Sequence, residues 1–132
     1  MRQRLKSLKR VLSVQKDMHR LAEWRFAKLE RQLQMLHAER RRLLSHLDDE
    51  RFFGTPFAKP ILERLRALDE AEARLTRERD EQRQILLEDA RRIGQVSHAT
   101  EAVEEHCQRD DEKRELEAAI EAALGRARAS FR

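Results

Sequence analysis

Apolar residues recur at alternating spacings of three and four between residues 5 and 47. Ten of the 13 positions in this repeat are apolar, and such a pattern over about six heptads is typical of a coiled coil. It predicts a helix from about residue 2 to about residue 50 with one narrow apolar seam. The a positions are Leu5, Leu12, His19, Phe26, Leu33, Arg40 and Leu47, and the d positions are Leu8, Gln15, Ala22, Leu29, Leu36 and Leu43.

A second, poorer seam follows residue 60 and predicts a helix from about residue 60 to about residue 125. Near its end the apolar stripe shifts phase to Leu116, Ile120, Ala123 and Ala127, as a stutter would. The seam consists of Ile61, Leu65, Leu68, Glu72, Leu75, Arg79, Gln82, Leu86, Asp89, Ile93, Val96, Thr100, Val103 and Cys107.

The stretch RFFGTPFAKP, residues 51–60, separates the two helical patterns. It holds both prolines, one of three glycines and three of five phenylalanines. Gly54 and the prolines predict a turn followed by a new helix. Its phenylalanines, Phe52, Phe53 and Phe57, either close the end of the seam or form a docking tip for a partner.

Charge predicts that the two helices run antiparallel. Residues 1–20 carry seven Lys/Arg and one Asp, whereas residues 101–121 carry nine Asp/Glu and three Lys/Arg. A register centred on Gly54 sets Leu12 beside Val96 and His19 beside Asp89, and a register shifted by one heptad remains open. We therefore expect an all-α fold with a single domain, residues 1–132. Its architecture is a two-helix antiparallel coiled-coil hairpin with a C-terminal helix end that projects beyond about Cys107.

The sequence offers little material for catalysis. The five histidines form no HExxH motif and none has a Glu three residues before it. A glycine-rich phosphate loop is missing, and the single cysteine cannot form an internal disulfide. We expect a non-enzyme without catalytic, cofactor-binding or metal-binding residues. Without a signal peptide or a run of about 18 apolar residues, it is expected in the cytoplasm, with at most peripheral contact with the inner membrane.

Apolar residues outside the seams are the candidate partner-binding residues. The alternative for those on the first helix is a wider contact with the second helix. For those near the C-terminus, the alternative is that this end folds back or dimerises. The candidates are Val11, Val14, Met18, Leu21 and Trp24 on the first helix and Leu116, Ile120 and Leu124 on the second.

The basic, leucine-rich segment LKSLKRVLSVQKDMHRLAEWRFAKLERQ, residues 5–32, heads a chain that resembles the FliJ/YscO family of type III export proteins. The resemblance covers nearly the whole chain, although the proline- and phenylalanine-rich turn departs from it. It implies a soluble stalk component similar to the rotor subunit of rotary ATPases. Its implied partners are the export ATPase hexamer, whose central pore would hold the stalk, and the export gate protein, in a flagellar or an injectisome system.

Two other functions remain open on the residues alone. One is a generic structural coiled coil, either monomeric or homodimeric. The other is a nucleic-acid-binding hairpin that uses Arg40, Arg41 and Arg42 with the N-terminal cations. Three consecutive arginines point around a helix and nearby acids dilute the patch, so no nucleic acid is expected as a partner.

Overall fold

Two α-helices make up the part of the chain that the computed structural model describes, residues 1–48, 56 and 58–131. Helix α1 is Arg2–Asp48 and helix α2 is Ala58–Ser130, and these residues contain no strand. The predicted all-α fold of two packed antiparallel helices is confirmed. Most of the predicted turn, including Phe52, Phe53 and Phe57, lies outside the described residues.

Pro60 is compatible with the start of α2, whereas Gly125 does not end the helix. Pro60 falls in the first turn, where the missing N–H would have no partner within the helix. The helix continues beyond its predicted end near Gly125 to Ser130. One glycine costs a helix only about 1 kcal/mol relative to alanine. The strong helix formers Ala and Arg follow it, so the helix does not stop there.

The predicted heptad frames agree with the burial of both helices. Every one of the 13 a and d positions of α1 is buried or partly buried, and so is each of the 14 seam positions of α2. Four apolar side chains among the described residues are buried: Ala22, Leu33, Leu36 and Leu68. The core is therefore a single narrow seam, as a two-helix coiled coil requires.

The first of two structural units combines residues 1–16 of α1 with residues 91–132. Arg2 forms an ion pair with Asp111 and Lys9 forms one with Glu104, each at 2.8 Å. Residue numbers rise on α1 as they fall on α2, so the helices are antiparallel here. The predicted pairing of basic and acidic ends thus occurs. Thr100, the buried polar residue of this seam, donates its hydroxyl to the carbonyl of Val96 at 2.7 Å.

The second unit comprises residues 17–90. Glu30 lies 3.7 Å from Arg79, and the guanidinium of Arg83 lies 5.8 Å from the centre of the Phe26 ring. The register centred on Gly54 places these α1 residues opposite positions 78 and 82, one residue away from the observed neighbours. These two contacts lie closer to that register than to one shifted by a heptad, whereas in the first unit Arg2 and Lys9 pair with residues five positions away from those that the register places opposite them.

The predicted pairing of His19 with Asp89 is wrong. His19 Nε2 lies 2.9 Å from Glu23 Oε1 on the next turn of α1. Its other ring nitrogen, Nδ1, is buried and has no hydrogen-bond partner among the described residues. Residues four apart on a helix are already neighbours, so Glu23 meets His19 without any contribution from the facing helix.

A polar network interrupts the seam of the second unit. Arg40, at an a position, lies 3.1 Å from Asp69 and 3.1 Å from Glu72. His37 Nε2 donates a hydrogen bond to Glu72 at 3.0 Å. This bond is the main cause that lowers the pKa of Glu72 below its ordinary value of 4.5, and Arg40 adds to the effect. The network lets an arginine occupy the seam without leaving its charge unpaired.

The seam leucines should dominate the stability of the second unit. Leu33 is 3% exposed, whereas Leu44 on the same helix is 42% exposed. We expect Leu33→Ala to lower the free energy of unfolding by about 2–4 kcal/mol, because it opens a cavity in the seam. Leu44→Ala, the matched control, should change it by less than about 0.5 kcal/mol. Urea unfolding followed by circular dichroism measures both, and equal losses would contradict the single-seam core.

The Glu72 network should also make stability depend on pH. Because the folded state lowers the pKa of Glu72, its stabilisation is fully present above the ordinary value of 4.5 and disappears as pH falls through the lowered value. Glu72→Gln should therefore lower the melting temperature at pH 7, and the difference from the unsubstituted protein should shrink towards pH 3. Thermal melts across this range test it. Glu70→Gln, an exposed position on the same helix, should show no such convergence.

Candidate partner surfaces

The last part of α2 presents an unpaired helical surface in the first unit. Asp110 and Asp111 are its last partly buried residues, and every residue from 112 to 131 is exposed. We call residues 112–131 the C-terminal segment. Its candidate side chains Leu116, Ile120 and Leu124 are between 51% and 62% exposed. They are spaced four residues apart, so they form one apolar stripe along the helix.

Charge is distributed unevenly along the C-terminal segment. Its first ten residues carry four acids and two bases, whereas residues 122–131 carry two arginines and no acid. The helix dipole favours this order, since negative charge lies nearer its N-terminal side and positive charge at its C-terminal end. An isolated helix of this length is nevertheless marginal in water. The apolar stripe therefore gains most when a partner covers it.

Val11 and Val14 are the candidate residues of α1 in the first unit. They are 47% and 57% exposed, and their predicted role in partner binding stays a prediction. Arg4 and Arg10 lie nearby on the same helix and form no ion pair within the described part of the chain. This surface is consequently basic with two small apolar side chains.

Met18, Leu21 and Trp24 are the candidate residues of α1 in the second unit. All three are exposed, by 63%, 48% and 55% respectively. The ammonium group of Lys28 lies 5.5 Å from the centre of the Trp24 ring, a cation–π contact on the surface. The structure thus keeps the only tryptophan of the chain accessible, and its predicted role in partner binding stays a prediction.

Trp24 borders a groove between α1 and α2 that the sequence analysis did not identify. At one end the groove is lined by Trp24, Arg25 and Lys28 from α1 and by Glu78, Glu81 and Ile85 from α2. Gln32 also lines a second depression that continues the groove along the same side. There, Met35 faces Ala67 and Ala71 across the core residues Leu36 and Leu68. We call this surface the Trp24 groove.

A signal for this groove exists in the sequence. Ala67 and Ala71 lie next to seam positions, where long charged side chains would otherwise cover the core. Small residues at such positions leave the core accessible from one side. Glu39 and Arg64 line the far end and form two hydrogen bonds, of 2.8 and 3.1 Å. This contact lowers the pKa of Glu39 and raises that of Arg64.

The three consecutive arginines do not form one basic patch. Arg40 is drawn towards Asp69 and Glu72 across the seam, while Arg41 and Arg42 are exposed. Only part of this cluster is available to a phosphate backbone, whose recognition depends on several cations on one face.

The described residues contain no group of three or more His, Cys, Asp or Glu side chains that could hold a metal ion. Neither helix, over the residues described, has an apolar stretch sufficient to cross a membrane. The described surface has an apolar stripe, a basic N-terminal surface and a groove.

The chain was also compared with known proteins. No family model, no curated protein and no solved structure matches it.

Proposed function

We propose that this protein is a non-catalytic stalk or adaptor of a type III export apparatus, which binds the export ATPase ring through its C-terminal segment. The observation that carries the proposal is the exposed stripe Leu116, Ile120 and Leu124 on a helix whose residues 112–130 are all exposed. It rests also on the resemblance of residues 5–32, and of nearly the whole chain, to the FliJ/YscO family.

The form of the C-terminal segment suits a ring with a central pore. A single helix is about 10–12 Å wide with its side chains, and 20 residues of it extend roughly 30 Å. A helix that enters a pore can bury its apolar stripe on one wall and its charges on others. The acidic first half and basic second half would then distinguish the two ends of the pore.

The rest of the chain fits a structural role. A narrow seam with polar interruptions holds two helices together without forming an enclosed site. The exposed residues Val11, Val14, Met18, Leu21 and Trp24 remain available for further contacts. We assign the export gate protein to this second set of contacts as part of the same proposal, with the protein acting in the cytoplasm or at the inner membrane surface.

A triple substitution of Leu116, Ile120 and Leu124 by alanine tests the proposal. Alanine preserves helix propensity but removes the apolar stripe. We expect affinity for the export ATPase hexamer of the same organism to fall at least about tenfold, since buried apolar anchors dominate such interfaces. Calorimetry and stimulation of ATP hydrolysis measure the loss. The free energy of unfolding should change by less than about 0.5 kcal/mol because these side chains are exposed.

The matched control is Arg114→Ala, Glu115→Ala and Glu121→Ala, which removes polar side chains from the same segment. It should retain most of the binding. Undiminished binding by the stripe variant would refute the assignment of this surface to the ring. A lower melting temperature or a smaller oligomer mass for the stripe variant would show instead that the protein covers the stripe itself.

A further inference from the structure

The two walls of the Trp24 groove carry opposite charges, so two copies of the groove can complement each other. Its α1 wall presents Arg25 and Lys28, and its α2 wall presents Glu78 and Glu81. None of these four side chains forms an ion pair within the described residues. The groove therefore has a basic wall on α1 and an acidic wall on α2, with apolar surface between them.

Contacts between α1 and α2 show which of their residues lie at the same height along the helix axes. Phe26 lies beside Arg83 and Glu30 lies beside Arg79, so Lys28 stands at the height of residue 81. By the same reasoning, Trp24 stands near the height of Ile85, which is 44% exposed. Lys28 and Trp24 thus each have a chemical complement on α2 at the same height, Glu81 and Ile85.

We propose that the Trp24 groove binds the same groove of a second copy of this chain, about a two-fold axis parallel to the helices. Rotation by 180° about such an axis brings α1 of one copy over α2 of the other without changing the height of any residue. Lys28 then faces Glu81 of the second copy and Trp24 faces its Ile85, while Arg25 and Glu78 lie about one turn to either side of the Lys28–Glu81 contact. The contact is isologous, since each pairing occurs twice.

Apolar surface supplies the centre of this interface. Trp24, Met35 and Ile85 are exposed along the groove, and Ala67 and Ala71 allow a second copy to approach closely. Pairing the two grooves produces a four-helix arrangement of a kind common in soluble proteins. Tryptophan is a frequent anchor of protein interfaces.

The size of the groove predicts a weak dimer. From Trp24 to Arg42 it extends roughly 27 Å, at 1.5 Å per residue, and it is two helices wide. Such a surface lies near the lower limit of about 1,000 Å² for specific interfaces. We therefore expect dimers to form reversibly as concentration rises. This inference does not depend on the proposed binding of the export ATPase ring, which uses the C-terminal segment, and it shares only Trp24 with the proposed gate contacts.

Charge reversal in two separate chains provides the test. Sedimentation equilibrium should show a concentration-dependent dimer of the full chain, with the emission of its single tryptophan shifting to shorter wavelength as the dimer forms. Lys28→Glu and Glu81→Lys should each weaken the dimer at least about tenfold, because two-fold symmetry introduces two like-charge contacts. Trp24→Ala should weaken it similarly.

An equimolar mixture of the Lys28→Glu and Glu81→Lys chains should regain dimers. The mixed dimer has two contacts between positions 28 and 81. One of them combines the two substituted residues and the other combines the two unsubstituted ones, so opposite charges meet in both. The matched control mixes Arg31→Glu with Glu70→Lys, which reverse exposed charges of α1 and α2 outside the groove lining. Each of these control chains should dimerise as the unsubstituted protein does.

Three results would overturn the proposal. One is a monomer mass at the highest concentration at which the protein stays soluble, which would leave the groove to a different partner. Another is a dimer indifferent to both reversals, which would place the interface elsewhere. The third is failure of the mixture to regain dimers. None of these results bears on ATPase binding by the C-terminal segment, so the two proposals fail separately.

Discussion

A seam one or two side chains wide is the constraint on which the rest of this structure depends. Two helices can bury only what lies directly between them, and among the described residues just Ala22, Leu33, Leu36 and Leu68 are buried apolar side chains. Stability is consequently spread over many partly buried positions. With so little core, every polar residue in the seam must find its partner within a turn of its own position or directly across.

The seam meets this requirement in three ways and fails it at two atoms. Arg40 reaches acids across the seam, Gln82 donates to the carbonyl of Ala22 at 3.4 Å, and Thr100 bonds within its own helix. Within the described part of the chain, Gln15 Oε1 and His19 Nδ1 remain buried without hydrogen-bond partners. Each such atom costs free energy, and an aliphatic residue at either position would avoid the cost. These two positions are where the heptad is weakest.

Periodicity alone was sufficient to predict which residues face inward, because in a two-helix coiled coil burial depends on angle around the helix and little else. Side-chain pairing could not be predicted in the same way. For His19, the sequence offers both Asp89 across the seam and Glu23 one turn away, and periodicity does not rank them. The groove was missed for a related reason. The groove exists because the small side chains of Ala67 and Ala71 leave the core accessible from one side. A heptad assignment considers only the residues that fill the seam.

Because so few side chains are buried, the exposed apolar residues are significant in this protein. A chain with a large core can leave a few leucines on its surface at little consequence. Here Leu116, Ile120 and Leu124 are each more exposed than any seam residue, and they follow one face of a helix whose residues 112–130 are all exposed. Because helix propensity barely sustains such a segment, covering its stripe would supply both the burial and the rigidity that the segment lacks. Binding and helix stabilisation are therefore coupled in this segment, and a partner that matches its stripe also stabilises its helix.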